Sequence, residues 1–392
     1  MIPARALACL AIILAASPRS AGPGGMPAAE AYVWQRVWTP ELVAALQANA
    51  DVVTRWHVLI AQGGAHGPFA RFAPDWGAIA RAGRPAIPVI RIDGQIDPLA
   101  VARLAQTAAA LIATVPAAAR ARIEIDHDCA TARLASYAEF LATVRGLLPP
   151  GTRIDITALP TWLHAPDLGK LIAAADRLIL QVHGIDDPRT ALFDPARASA
   201  WVGALSRRTT RPFVVAVPAY GARIVRDANG GLQAASAERV QADPRPGSEL
   251  IVAPADVAAF LQRLRLENAD QVAGIVWFRL PLPGDLRAWS ATTLRHVSQG
   301  RKLSPHVRVS LQPALADAAQ QIALVNDGDD TDLPARLTLS PGCAGDAIGA
   351  YISNGRNFMR IRNDLLRSGA HMVVGWQLCP HLISALPEVS MQ

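Results

Sequence analysis

The feature that most limits the fold of this 392-residue chain is a regular alternation of strand-like and helix-like segments between residues 30 and 297. The strand-like segments are rich in Val and Ile, and the segments between them repeat apolar residues every three or four positions. The eight strand-like runs cover residues 31–37, 52–61, 86–93, 122–128, 153–159, 177–184, 212–220 and 274–280. Eight such units in about 250 residues are typical of a (β/α)8 barrel.

We therefore predict an α/β protein with a (β/α)8 TIM barrel over residues 30–300. A doubly wound open sheet is the alternative, but no glycine-rich phosphate loop follows the first strand. From residue 304 to 392 the chain changes to short alternating runs separated by Gly, Asp and Pro, which predicts a small antiparallel β module. The acidic turn NDGDDTD at 326–332 could bind Ca²⁺, but we interpret it as a solvated loop.

The composition narrows the class of partner. Hydrophobic residues make up 51% of the chain and charged residues 18%, as expected for a folded protein with a large core. The net charge of +6 is spread without a Lys/Arg-rich run, so we do not expect nucleic-acid binding.

The N-terminus has the pattern of a secretory signal peptide. Arg5 precedes an apolar run over residues 6–16, and small residues follow it. We predict a signal peptide at 1–21 and a periplasmic or secreted protein, with no membrane span after cleavage. Three cysteines would remain: Cys343 and Cys379 could form a disulfide, and Cys129 would be a buried free thiol.

The stretch ARIEIDHDCA, residues 121–130, carries three carboxylates two positions apart: Glu124, Asp126 and Asp128. A strand alternates its faces, so the three acids would share one face while Ile123 and Ile125 cover the other. In a barrel, catalytic groups lie at the carboxyl ends of strands. Adjacent carboxylates separate one another's pKa values, which suits general acid catalysis.

Two other interpretations of this strand remain open. The acids could form buried ion pairs with inward-pointing arginines such as Arg91 or Arg279. They could also form an exposed polar edge, although the two isoleucines on the opposite face argue against that.

Other side chains near predicted strand ends would line the same mouth. Indole rings pack on the apolar faces of sugars, so tryptophans there favour a carbohydrate groove. The candidates are Trp34, His57, Asp93, Trp162, Gln181, His183, Tyr220 and Trp277. His57 and His183 could alternatively bind a metal with Asp93 or Asp128, although no HxH or HExxH motif supports this.

Several of these segments resemble known families. The strand IEIDHD is similar to the D-x-x-D-x-D-x-E strand of family 18 glycoside hydrolases, VVAVPAYG to that superfamily's seventh strand, and GIVWFRL to its last. The resemblance implies a general acid at Asp128 and a tryptophan floor for the sugar at Trp277. The stretch at 125–163 resembles a bacterial family of exported proteins, domain-of-unknown-function family 3142, over most of residues 30–380.

The chain departs from the family 18 pattern at two places. Asp128 stands where the family has Glu, and a shift of about 1 Å in a reacting group can cost of order a hundredfold in rate. Gln181, His183 and Gly184 replace residues of the M-x-Y-D motif that hold the substrate's N-acetyl group. Asp186 and Asp187, just beyond, could supply a second carboxylate or form a turn.

From these observations we expect an exported, glycoside-hydrolase-like barrel that acts on a polysaccharide or oligosaccharide. Asp128 would be the general acid, Asp126 would tune it, and Glu124 would anchor the buried end. No cofactor is implied. The alternatives are a non-catalytic carbohydrate-binding or envelope-assembly protein that keeps the cleft, and a metal-dependent polysaccharide hydrolase or deacetylase.

Overall fold

The computed structural model describes residues 28–64, 67–184, 191–226, 231–235, 247–267, 271–285, 287–313, 319–362, 364–379 and 389–391. The predicted signal peptide lies outside these residues, as do Asp186 and Asp187. None of the described helices is long and apolar enough to cross a membrane.

A closed parallel barrel forms the first part of the chain. Its eight strands are β1 Ala29–Val33, β2 Trp56–Gly64, β3 Ala86–Asp93, β4 Arg122–His127, β5 Arg153–Ala158, β6 Arg177–Gln181, β7 Phe213–Pro218 and β8 Val272–Phe278. The spatial order is β1-β8-β7-β6-β5-β4-β3-β2, and pairing of β1 with β2 closes the ring. The predicted TIM barrel is thus confirmed, and each strand overlaps a predicted strand.

One α-helix follows each strand and covers the outside of the ring. The helices are α1 Pro40–Asn49, α2 Trp76–Arg81, α3 Val101–Ala113, α4 Leu134–Leu147, α5 Leu168–Ala174, α6 Pro195–Ser206, α7 Pro254–Glu267 and α8 Ala291–Ser298. Several begin at a side-chain cap that accepts a hydrogen bond from a free backbone N–H, such as Asp194 before α6. The last helix begins at Ala291, where the side chain of Ser290 accepts a hydrogen bond from Thr293 N–H.

The two faces of the barrel strands differ in chemistry. The outward face packs against the helices in one large apolar core. Inside the ring, the apolar contribution is a small cluster with Val89, Ile179, Val214 and Val276 at its centre. Polar and charged side chains fill much of the remaining interior, and they define the site described below.

The loop after β7 contains a small antiparallel sheet. Its strands are Ala222–Arg226, Leu232–Ala235 and Gly247–Leu250, with the first in the middle. The described part of this loop therefore contains regular β structure.

The C-terminal module consists mainly of two four-stranded sheets, which bears out the predicted antiparallel architecture. The strands are β9 Val307–Pro313, β10 Ala319–Asn326, β11 Arg336–Leu339, β12 Ala344–Ala347, β13 Tyr351–Asn354, β14 Asn357–Arg360, β15 His371–Leu378 and β16 Val389–Met391. The sheet orders are β9-β10-β15-β12 and β13-β14-β11-β16, and a short pairing of Thr331–Asp332 with Leu365–Leu366 accompanies them. A disulfide joins Cys343 to Cys379, and Cys129 is a buried free thiol.

Two aspartates of the acidic turn tie the module to the barrel. Asp330 accepts hydrogen bonds from the backbone N–H of Ser290 at 2.6 Å and of Ser368 at 2.7 Å. Asp329 lies 2.7 Å from Nδ1 of His296 in α8. The interpretation of this turn as a solvated loop is wrong for both residues, which are 3% exposed because their carboxylates satisfy donors at the junction.

Candidate functional site at the barrel mouth

The acidic side chains of β4 point into the barrel. Ile123 and Ile125 belong to the outer core, and the alternation of the strand sends Glu124 and Asp126 to the opposite face. Asp128 follows the last strand residue and continues this row to the mouth. Exposure rises along the row: Glu124 is fully buried, the Asp126 side chain is 8% exposed, and the Asp128 side chain is 45% exposed.

Glu124 forms the deep end of the row and is held by side chains from neighbouring strands. Tyr32 OH donates to its Oε1 at 2.5 Å, and Thr157 Oγ1 lies 3.3 Å from the same atom. Its Oε2 contacts Nδ1 of His57, whose Nε2 lies 2.5 Å from Glu30 Oε2. Burial opposes protonation of His57, but the two carboxylates outweigh it and raise its pKa to about 9. His57 is therefore a cation at neutral pH, held between Glu124 and Glu30.

An ionic layer lies below His57. Arg177 donates to both oxygens of Glu30, at 2.8 and 3.0 Å, and also pairs with Asp155. Arg55 and Arg122 complete the layer through Glu30 and Asp155, respectively. Burial raises the pKa of Glu30, but His57 and Arg177 outweigh burial and hold that pKa well below its usual range. The lower interior of the barrel is thus a paired network of charges.

Arg91 of β3 organises the mouth. Its Nη1 donates to Asp126 Oδ2 at 2.8 Å, its Nη2 donates to Asp128, and its Nε donates to Asp93 Oδ1 at 3.3 Å. Arg91 therefore forms the ion pairs with the acids of β4 that were one of the alternative interpretations of this strand. The other candidate, Arg279, contacts Asp285 instead. The Arg91 side chain is 20% exposed, and its carboxylate partners Asp93 and Asp128 are each 45% exposed.

The environment of Asp126 favours its protonated form. Burial raises its pKa to about 6; Arg91 acts to lower that pKa, while the charges of Asp128 and Glu124 add to the increase. A carboxyl with this pKa is partly protonated in mildly acidic solution. It lies directly beneath the exposed Asp128, and both are bound to one guanidinium group.

Aromatic rings cover the opposite wall of the mouth. Trp34 and Phe278, both half-buried, lie with ring centroids 5.3 Å apart, and each lies 5.5 Å from the ring of Tyr32. Tyr220 and His183 pack on Phe278 at 5.2 and 5.4 Å. Because Tyr32 also bonds Glu124, this single side chain connects the aromatic wall to the acidic row.

Two of the predicted sugar-binding tryptophans do not reach the mouth. Trp277 is fully buried on the outward face of β8 and packs on Trp289 at 5.6 Å, so Phe278 takes the inward position. Trp162 is also fully buried, and its Nε1 donates to the carbonyl of Cys129 at 2.8 Å. Both indoles belong to the outer core, so the prediction that these two residues line a sugar subsite is wrong.

His183 and Gln181 lie on the inward face of β6. Gln181 Nε2 donates to the His183 carbonyl at 2.9 Å, and the His183 ring lies 3.5 Å, through Nδ1, from the Tyr220 hydroxyl. Burial lowers the pKa of His183 to about 3 and raises that of Tyr220 to about 12. Both are neutral at physiological pH, and they can act there only as hydrogen-bonding or packing groups.

The predicted metal set does not assemble. Both ring nitrogens of His57 contact glutamates deep in the barrel, so His57 cannot bind a metal ion together with Asp93 or Asp128. His57 therefore lies deep in the barrel, and its predicted position on the rim is wrong. Among the described residues no group of three His, Cys, Asp or Glu side chains could hold a metal ion.

Sequence reasoning missed three members of this arrangement: Glu30, Tyr32 and Phe278. Glu30 and Tyr32 stand four and two positions before Trp34, so the period of β1 could have placed all three on one face. Phe278 follows Trp277 in a continuously apolar strand, which gives no alternation from which to tell inward from outward.

The comparisons with known proteins agree with this geometry at the level of fold. The sequence model of the domain of unknown function DUF3142 matches residues 82–283, slightly more than half of the chain. The chain belongs to the DUF3142 family. The match runs from the start of β3 past the end of β8 and includes Arg91 and the whole acidic row of β4. A second domain of unknown function, DUF8456, matches residues 309–380 in the C-terminal module.

Solved structures similar to this DUF3142 protein include a spore cortex-lytic enzyme and a chitinase. The spore cortex-lytic enzyme SleL of Bacillus megaterium QM B1551 superposes with a TM-score of 0.51 at 14% identity, over 72% of this chain and 76% of SleL. A chitinase from Chromobacterium violaceum ATCC 12472 superposes with a TM-score of 0.50 at 16% identity, over 70% of this chain and 98% of the chitinase. At these identities the likeness concerns the fold. No curated protein has a sequence that matches the chain.

Proposed function

We propose that this protein binds a glycan across the mouth of the barrel and hydrolyses it by general acid catalysis. The observation that carries the proposal is Tyr32, which bonds the acidic row through Glu124 and packs on the half-buried pair Trp34 and Phe278. Acids and rings thus share one inward face. The similar fold of chitinases and cortex-lytic enzymes supports a carbohydrate as the ligand.

Asp128 is the acid that contacts the substrate, because it is the exposed end of the row. It gives its proton to the glycosidic oxygen as the bond from that oxygen to the anomeric carbon breaks. Water adds to that carbon, and its proton returns to Asp128. Asp126, whose pKa is about 6, holds a proton beside Asp128 in mildly acidic solution, and Arg91 keeps the two carboxyl groups together. Binding of the glycosidic oxygen replaces the contact between Arg91 and Asp128.

The aromatic wall supplies the platform for the sugar. The rings of Trp34 and Phe278 present apolar surface to the C–H face of a pyranose ring, and Tyr220 and His183 lie beside them. Asp93, which is held by Arg91 and by Gln62 Nε2 at 3.0 Å, offers a second exposed carboxylate to sugar hydroxyls.

One observation favours a second function, glycan binding without cleavage. Arg91 contacts Asp93, Asp126 and Asp128 at once, and a guanidinium group stabilises the ionised form of each. A cleft with this charge balance holds sugar hydroxyls well, but an acid kept in its ionised form has no proton to give to a glycosidic oxygen. The two functions share the ligand and differ in the release of products.

We further propose that the protein works outside the cytoplasm. The signal-peptide pattern of residues 1–21 supports export. The disulfide between Cys343 and Cys379 supports an oxidising compartment.

The test is a screen of the mature protein against bacterial and plant polysaccharides, chitin and peptidoglycan included, with binding and release of reducing ends measured together. We expect Asp128→Asn to lower release by at least about a hundredfold while binding is kept. Asp327→Asn is the matched control, because Asp327 is a 49% exposed aspartate paired with an arginine in the module. Binding by the wild type without any release would establish the second function, and no binding to any polysaccharide would exclude both.

A further inference from the structure

The outer face of the sheet β9-β10-β15-β12 carries an exposed tryptophan. The inner face of this sheet holds the core of the module, including Ile322, Leu324 and Val374. The register of β10 and β15 shifts between Ile322 and Ala323 and leaves Val374 unpaired, so Trp376 of β15 points to the outer face, where it is 43% exposed. It is the only exposed residue among the nine tryptophans of the chain, all of which lie in described segments. The fold therefore presents the indole of Trp376 to solvent on the outer face of this sheet.

Hydrogen-bonding side chains lie on both sides of this indole. In the register of the sheet Trp376 is opposite Gln321 of β10 and opposite Asp346 of β12. Gln312 of β9 is opposite Gln321 in turn. Directly paired residues project to the same face, so the four side chains form one row across the sheet. Asp346 and Gln312 are exposed and Gln321 is half-buried.

The surface beside the indole is low and apolar. Leu378 lies two positions further along β15 on the same face and is 47% exposed. Its partners on the neighbouring strands are Ala319 and Ala344, whose side chains are single methyl groups. A flat ligand lying on Trp376 and Leu378 would meet no tall side chain from these two partners.

We propose that this face is a second carbohydrate-binding site, with one pyranose ring stacked on Trp376 and its hydroxyls bonded to Gln321 and Asp346. An indole offers an apolar surface of the size of a sugar ring, while amide and carboxylate groups at its edges match equatorial hydroxyls. The ligand class rests on the function proposed for the barrel, but the site is separate from the barrel mouth in residues and in sequence-family match.

The size of the patch favours a sugar over a protein partner. A large aromatic side chain buries about 150–250 Å² when fully covered. A standard protein interface takes about 800 Å² from each partner. One indole and one leucine, each less than half exposed, fall well short of that area, whereas a sugar ring covers them.

The experiment uses the full-length mature protein and three insoluble probes: chitin, cellulose and purified peptidoglycan. Depletion from solution gives the affinity for each. We expect Trp376→Ala to weaken binding to at least one probe by about tenfold or more. Met359→Ala is the matched control, because Met359 is 40% exposed on the other sheet of the module, and we expect it to bind as the wild type does. Thermal melting checks that both variants are folded.

A second variant separates loss of binding from loss of fold. Gln321→Ala removes one hydrogen-bonding group and keeps the indole, so we expect a several-fold weakening on the same probe with an unchanged melting temperature. Wild-type affinity in a folded Trp376→Ala protein overturns the site, as does failure of the wild type to bind any of the three probes.

The barrel proposal fails by a different signature. Trp376→Ala leaves cleavage of short soluble oligosaccharides unchanged if the barrel is an enzyme. If no cleavage is found and Phe278→Ala does not alter binding, while Trp376→Ala does, the barrel proposal is wrong and the module site stands alone. If Phe278→Ala weakens binding and Trp376→Ala does not, the module site is wrong and glycan binding at the barrel mouth stands.

Discussion

Arg91 and Asp126 are direct partners in the register of β3 and β4, and Arg91 Nη1 donates to Asp126 Oδ2 at 2.8 Å. The pKa of the Asp126 carboxyl is therefore subject to two opposing effects. Burial raises the pKa of Asp126 to about 6, and the guanidinium limits that increase.

Arg91→Gln removes the cation, so the pKa of Asp126 should rise above 6. If the protonated acid is the active form, activity falls as the pH rises through that pKa, and the alkaline limb of the pH profile moves to higher pH in the variant. We expect a shift of about one pH unit, the lower end of the range for an adjacent opposite charge. Arg308→Gln, which breaks an exposed pair with Asp327, should leave the profile unchanged. A limb that stays in place or moves down would contradict the role given to Asp126.

Phe278 and Trp277 are neighbours in sequence with opposite orientations, which gives a direct test of the aromatic wall. Phe278→Ala should weaken glycan binding by about tenfold or more, because a half-exposed ring of the platform is lost. Trp277→Phe should lower the melting temperature without changing affinity, because it opens space only in the outer core. Titration calorimetry and thermal melting separate the two effects. Lost affinity in a well-folded Trp277→Phe protein would show that the sugar contacts Trp277 and that its placement on Phe278 is wrong.

The buried cation at His57 makes stability depend on pH. Its pKa is raised from about 6.5 in the unfolded chain to about 9 in the folded protein, with Glu124 and Glu30 as the cause that outweighs burial. The associated stabilisation is fully present below pH 6.5 and is lost as the pH rises through 9. It should amount to a few kcal/mol.

Chemical denaturation of the wild type and of His57→Gln at pH 6.5 and pH 9.5 measures this effect. We expect the wild type to lose more unfolding free energy between the two pH values than the variant, although the variant is less stable at both. His296→Gln, which alters a partly exposed histidine at the module junction, is the control. Equal losses in wild type and His57→Gln would show that His57 is not charged in the folded protein.

The barrel could be predicted because each strand contains Val or Ile and the segments between the strands repeat apolar residues with helical periodicity. The orientation of β4 was also predictable, because charged and apolar residues alternate in IEIDHD. In β8 the residues from Gly274 to Phe278 are apolar throughout, so hydrophobicity did not distinguish the two faces, and Trp277 was assigned to the wrong one.

Contacts between strands were harder to predict than the strands themselves. Arg91 was one of two arginines considered for the acidic row, and the choice depends on the register that pairs it with Asp126. His57 follows Trp56 at the start of β2, and only the closed ring, which pairs β1 with β2, brings it to Glu30. The acidic turn at 326–332 looked solvated because its partners, Ser290 and His296, belong to a distant part of the chain.

That junction makes the barrel and the module dependent on each other. The N-terminus of α8 is satisfied in part by Asp330, which also accepts from Ser368 N–H, and His296 of α8 contacts Asp329. A barrel excised near residue 303 would expose these donors and lose their acceptors. Gene fusions and chimaeras that use this barrel should therefore include the module. A rearrangement that separated the two would have to supply new hydrogen-bond partners at the junction on both sides.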